Sequence, residues 1–80
     1  MWKLYVLRLS DDSLYTGITK DIQRRLEQHR RGEGSKYVRS RLPLKLVYTE
    51  EHEDKGSALK KEVKIKNWDK ERKERFVGND

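Results

Sequence analysis

The sequence predicts one α/β (α+β) domain, a three-stranded antiparallel sheet flanked by helices in the order β-β-α-(α)-β-α-α. Three observations carry this expectation. Leu4-Tyr5-Val6-Leu7-Arg8-Leu9 is a nearly continuous apolar and aromatic run, as in a strand covered on both faces. The turn-forming Ser10-Asp11-Asp12-Ser13 separates it from a second β-rich run, Leu14-Tyr15-Thr16-Gly17-Ile18. The later segments switch to helical spacing, each behind a side chain able to cap a helix.

Taken in order, the two runs form a hairpin. Thr19 or Asp21 caps a helix running to about Arg31, and Gly32-Glu33-Gly34 ends it. Ser35 to Ser40 reads as a short helix or structured loop. Pro43 opens a third strand, Leu44 to Tyr48, whose period-2 pattern implies one buried face. Lys55-Gly56-Ser57 leads into a helix from about Ala58 to Trp68, and Asp69 caps a last one ending near Gly78. Residues 1–80 form a single domain, with about 70–80 expected to fray because Lys70 to Arg75 reads KERKER.

Hydrophobic residues make up 32 % of the chain and charged residues 42 %. That balance leans toward disorder, but the apolar residues cluster in regular patterns, which favours a fold. The formal charge of +6 attracts polyanions, chiefly nucleic acid, through an association that weakens with salt. The absence of cysteine excludes disulfides and thiolate zinc sites. No signal-peptide core and no apolar run of about 18 residues is present, so a cytoplasmic protein without a membrane partner is the default expectation.

Polar residues stand where helical wheels call for apolar ones. In the first helix Ile22 and Leu26 define the buried stripe, and Arg25 and His29 fall in the same arc. In the long later helix, Leu59 and Val63 mark one edge of the apolar arc and Ala58 and Ile65 the other. Glu62 lies between them, while Lys60, Lys61 and Lys64 face out. A carboxylate in a buried arc is costly unless paired or bound to a metal. An ion pair with Arg25 or Lys66 is the plainer explanation. If residues 9 and 13 pair across a three-residue loop, Tyr5 lies opposite Gly17 and Tyr15 opposite Leu7, so both phenols share one face and Gly17 leaves space beside the Tyr5 ring. A two-residue loop would send the rings to opposite faces. A domain with so small a core gains little stability from burying this much polar chemistry, so the combination points to a functional site.

The same residues resemble a known family. Lys3-Leu4-Tyr5, followed ten positions later by Tyr15-Thr16-Gly17, resembles the two tripeptides that name the GIY-YIG nuclease superfamily. Arg24-Arg25-Leu26-Glu27-Gln28-His29, Gly34-Ser35-Lys36-Tyr37, Leu46-Val47-Tyr48 and Ala58-Leu59-Lys60-Lys61-Glu62 extend the similarity to its small stand-alone members and its structure-specific DNA resolvase branch. Lys3 replaces the glycine of the first tripeptide, and Val38 stands where related sequences often carry threonine.

The resemblance implies a divalent-metal-dependent endonuclease that hydrolyses nucleic-acid phosphodiesters, DNA more than RNA, as in structure-guided repair or recombination. It implies Tyr5 and Tyr15 near the attacking water, one of them as general base, and a cation close to that phenol. It implies Arg25 on the scissile phosphate, His29 as proton shuttle or phosphate donor, and Glu62 as sole protein ligand of Mg²⁺ or Mn²⁺. Gly17, Lys36, Tyr37 and Arg39 would meet substrate, and an accessory protein or homodimer would fit so small a domain. Two other readings stand beside it. One is a nucleic-acid-binding module of the same fold with little or no catalysis, against which Glu62 argues because a carboxylate repels phosphate. The other is a protein-interaction domain, for which salt-independent failure to bind nucleic acid would argue.

Overall fold

The computed structural model describes residues 1–78. It contains β1 (Trp2–Arg8), β2 (Leu14–Thr19), α1 (Ile22–Arg30), α2 (Lys36–Arg39), β3 (Lys45–His52), α3 (Lys55–Lys66) and α4 (Lys70–Phe76). The strands form one antiparallel sheet in the order β2-β1-β3. The expected fold class and element order are both found.

The central position of β1 explains its apolar run, because helices cover both of its faces. Tyr5 and Leu7 face a core with Leu9, Leu26 and Val38, against α1 and α2. Leu4 and Val6 face Ile65, with Trp68, Phe76 and Val77 packed around them, against α3 and α4.

The hairpin takes the three-residue form. The Leu9 amide donates to the Ser13 carbonyl at 2.9 Å, and Asp12 completes the turn with φ of 69°. That register pairs Tyr5 with Gly17 and Leu7 with Tyr15, so the two phenols share a face. A bulge between Val6 and Leu7 shifts the pairing of β1 with β3, so Val6 meets Tyr48 and Leu7 meets Leu46.

Aspartates at the helix starts set the boundaries. Asp21 caps α1 through the Arg24 amide, and Asp69 caps α4 through the Arg72 amide. Asp54 accepts from the Ser57 amide and starts α3 at Lys55, three residues ahead of the expected Ala58. The third strand also runs four residues beyond the expected Tyr48. Within the end expected to fray, Lys70 to Phe76 is helical, and Arg8 forks onto the Glu74 carboxylate at 2.5 and 2.7 Å. Residues 79 and 80, the rest of that expectation, lie outside the described residues.

One face assignment is corrected. Leu59 and Val63 are 40 % and 55 % exposed, so they do not edge a buried arc. The seam of α3 runs through Ala58 and Ile65, two turns apart, because those two meet the sheet. Lys61, expected to face out, turns inward and lies 3.6 Å from Glu50.

Candidate active site

The α1 wheel places Arg25 and His29 one turn apart on the face toward β1 and β2. His29 is fully buried, and its Nε2 lies 2.8 Å from the Tyr5 hydroxyl. The Arg25 Nε donates to the same hydroxyl at 3.4 Å, and Gln28 steadies the guanidinium at 3.2 Å. Phenol, imidazole and guanidinium thus converge on one oxygen.

Two glycines permit this. A Cβ on Gly17 would stand 2.5 Å from the Tyr5 hydroxyl, so the space beside that ring holds the phenol itself. A Cβ on Gly34 would stand 2.5 Å from His29 Nδ1, so the α1–α2 connection lies directly on the imidazole. That Nδ1 is buried without a hydrogen-bond partner among the described residues. Burial and the nearby Arg25 charge lower the His29 pKa, which favours the neutral ring.

Tyr15, half-buried, lies 6.5 Å from the Tyr5 ring and edge-on to His29 at 5.5 Å. Tyr37 of α2 stacks on Tyr15 at 6.3 Å, with the Arg41 guanidinium 3.7 Å over its other face. Lys36 and Arg39 of α2 are exposed.

Helix α3 approaches from the β2 side. The Lys66 ammonium lies 5.8 Å from the Tyr15 ring centroid and 3.3 Å from the Glu62 carboxylate. Glu62 pairs with Lys66 and not with Arg25, and its side chain is only 15 % exposed. Its negative charge helps raise the Tyr5 pKa, although the largest cause is burial of the phenol. The Arg25 hydrogen bond opposes both, yet the net value is pushed up to about 12. The expected cation does lie beside Tyr5, but desolvation outweighs it.

The site residues expected from sequence are therefore gathered unevenly. Tyr5, Tyr15, Gly17, Arg25, His29 and Tyr37 form one continuous cluster, Glu62 borders it through Lys66, and no contact joins Lys36 or Arg39 to it among the described residues. Sequence reasoning missed Gln28, whose i+3 spacing from Arg25 was visible, and Gly34, whose closeness to His29 no local pattern encodes.

A second polar network lies on the other sheet face. Glu50 accepts from the Tyr48 hydroxyl at 2.5 Å and meets His52 Nε2 at 2.5 Å, while His52 Nδ1 meets the Ser57 hydroxyl at 2.6 Å. Burial raises the Glu50 pKa, but Tyr48, His52 and Lys61 hold it below the usual range. The network ties β3 to the first turn of α3 and borders a concavity of about 510 Å³.

The small α+β domain thus brings together paired phenols, an inward Arg-His pair and a helical carboxylate. The GIY-YIG catalytic domain family matches residues 1–75, the chain belongs to that family, and membership implies an endonuclease-type domain that takes nucleic acid. It is similar to UPF0213 proteins of Staphylococcus aureus, including that of strain Mu3, at 46 % identity over 92 % of this chain and 90 % of the relative. Its fold is similar to the solution NMR structure of a UPF0213 protein from Bacillus halodurans, with a TM-score of 0.63 and 38 % identity. That match covers 96 % of this chain and 83 % of the other.

Proposed function

We propose that this protein is a divalent-metal-dependent endonuclease that cuts DNA phosphodiesters chosen by structure, as in repair or recombination. The supporting observation is the convergence of Tyr5, His29 and Arg25 on one buried hydroxyl, with a largely buried carboxylate close enough for its charge to bear on that phenol.

Roles follow from placement. Arg25 holds a fixed positive charge at the mouth of the cluster, suited to a scissile phosphate and to the charge that grows on it. Tyr5, with its pKa pushed up to about 12, stays protonated at neutral pH and orients its neighbours instead of acting as base. His29, buried behind it, is a positioning residue. Proton removal from the attacking water falls to Tyr15, the half-exposed phenol beside the Lys66 ammonium. With Tyr15 as phenolate taking the water's proton, the water oxygen bonds to phosphorus, the bond to the leaving sugar oxygen breaks, and that oxygen takes a proton from bulk water.

Glu62 fits a Mg²⁺ or Mn²⁺ ion as a hard oxygen donor whose partner, Lys66, is an exposed side chain. Among the described residues no group of three His, Cys, Asp or Glu could hold a metal alone. An ion held by Glu62 would complete its coordination with waters and substrate oxygens, the usual habit of Mg²⁺. When bound, it adds positive charge against the phosphate and makes a nearby water more acidic.

The test is cleavage of labelled linear, branched and single-stranded substrates in Mg²⁺ or Mn²⁺. Glu62→Ala and Arg25→Leu should each lose about 100-fold or more, as removal of one charge-stabilising group commonly does. Cleavage unchanged in both variants would refute the site. Salt-sensitive binding by the wild type without cleavage on any substrate would favour the binding-module reading.

A further inference from the structure

At the end of the sheet where β2 passes into α1, a recess of about 370 Å³ runs from the Trp2 indole to Arg25. Ile18 forms its apolar wall, and Lys20 and Arg24 stand along it. The Lys20 and Lys55 ammoniums approach the Trp2 ring at 5.9 and 5.3 Å from its centroid. Among the described residues none of Lys20, Arg24 and Lys55 has a carboxylate within salt-bridge distance. The carboxylate at the rim, Asp21, is turned to cap the Arg24 amide.

Lys20 and Lys55 beside the indole and Arg24 along the recess repel one another, and an anion relieves that repulsion. The indole offers what a bare phosphate does not need, a flat polarisable surface. Aromatic surface plus several cations suits a nucleotide, whose base stacks while its phosphates pair. Because Arg25 belongs both to the recess and to the Tyr5 cluster, its occupant lies one step along the strand from the phosphate held there.

We propose that this recess is a nucleotide subsite, in which the nucleotide flanking the scissile phosphate leaves the base stack and packs against Trp2. The inference rests on the reading of the Tyr5–Arg25 cluster as a phosphodiester site. A base paired within a duplex cannot reach the indole without unstacking, whereas one at a junction, flap or single strand reaches it cheaply. Trp2 then supplies a means by which this domain selects its target: unpaired DNA beside the cut.

The chain carries two tryptophans, so a Trp68→Phe background leaves Trp2 as the sole indole reporter. Its fluorescence and the anisotropy of an end-labelled oligonucleotide are followed together, in EDTA so that no cutting intervenes. The expected result is binding of single-stranded and flapped DNA with quenching of Trp2, and weaker binding of blunt duplex without it. Trp2→Leu should lower affinity for the unpaired substrates about tenfold, in the range for loss of one base–aromatic stack, and leave blunt-duplex affinity nearly unchanged. Circular dichroism confirms that the variant folds. Binding without any change in Trp2 emission overturns the subsite and leaves the phosphodiester site standing. Absence of binding to every substrate overturns both.

Discussion

Each face of the sheet carries a phenol and an imidazole, fully buried on the α1 side and half-buried on the β3 side, and the two faces treat them differently. On the β3 side Tyr48, His52, Ser57 and Lys61 surround Glu50, and both imidazole nitrogens have partners. On the α1 side His29 and Arg25 share one phenolic oxygen, and among the described residues no carboxylate bonds directly to them and His29 Nδ1 has no partner. Saturated polar networks stabilise and specify a fold, whereas an unsatisfied buried nitrogen costs free energy. The contrast teaches that the first network serves the fold and the second is kept at its expense.

Crowding the His29 cluster should have the largest effect on folding. Gly34→Ala drives a methyl into the His29 ring, which has no room to retreat, so urea unfolding should show a loss of about 1–3 kcal/mol. An alanine tolerated there at no cost would mean that the imidazole is free to move, and the contrast would be broken.

Emptying the saturated network comes next. Glu50→Ala leaves Tyr48, His52 and Lys61 without their shared acceptor. Because these groups are partly solvated, the cost should be about 1–2 kcal/mol by urea unfolding, without loss of the Tyr5–His29 contact.

The smallest effect is a pH dependence. Burial and Arg25 lower the His29 pKa in the fold, so the unfolded chain binds a proton more readily. The stability from a neutral His29 is fully present above its unfolded value of about 6.5 and declines as pH falls toward the lowered folded value. Unfolding followed from pH 7.5 to 5 should show this slope, and His29→Gln should flatten it. An equal slope in the variant would assign the effect to other groups.

Much of this was legible in the sequence, for reasons tied to particular residues. The wheel of α1 worked because Ile22 and Leu26 leave a single candidate face, which carries Arg25 and His29 with it. The hairpin register was readable up to a choice between two loop lengths, and Asp12, able to take a positive φ, decides it. The α3 wheel misled because Leu59 and Val63 are apolar yet no element covers them, so hydrophobicity did not report burial. The end of β3 was missed because Thr49 to His52 is polar, and only Tyr48 and the α3 residues Ser57 and Lys61 make Glu50 and His52 suitable for a strand. Gly34 against His29 is a long-range packing fact with no local signature.

The central claim is that the Tyr5–His29–Arg25 cluster exists for chemistry and not for stability. A single Arg25→Leu protein tests it, with single-turnover cleavage and urea unfolding measured on the same preparation. Cleavage should fall about 100-fold or more while the unfolding free energy is unchanged or higher, since a half-buried cation gives way to an apolar side chain. Intact cleavage together with a clear loss of stability would contradict the account and make Arg25 a structural residue.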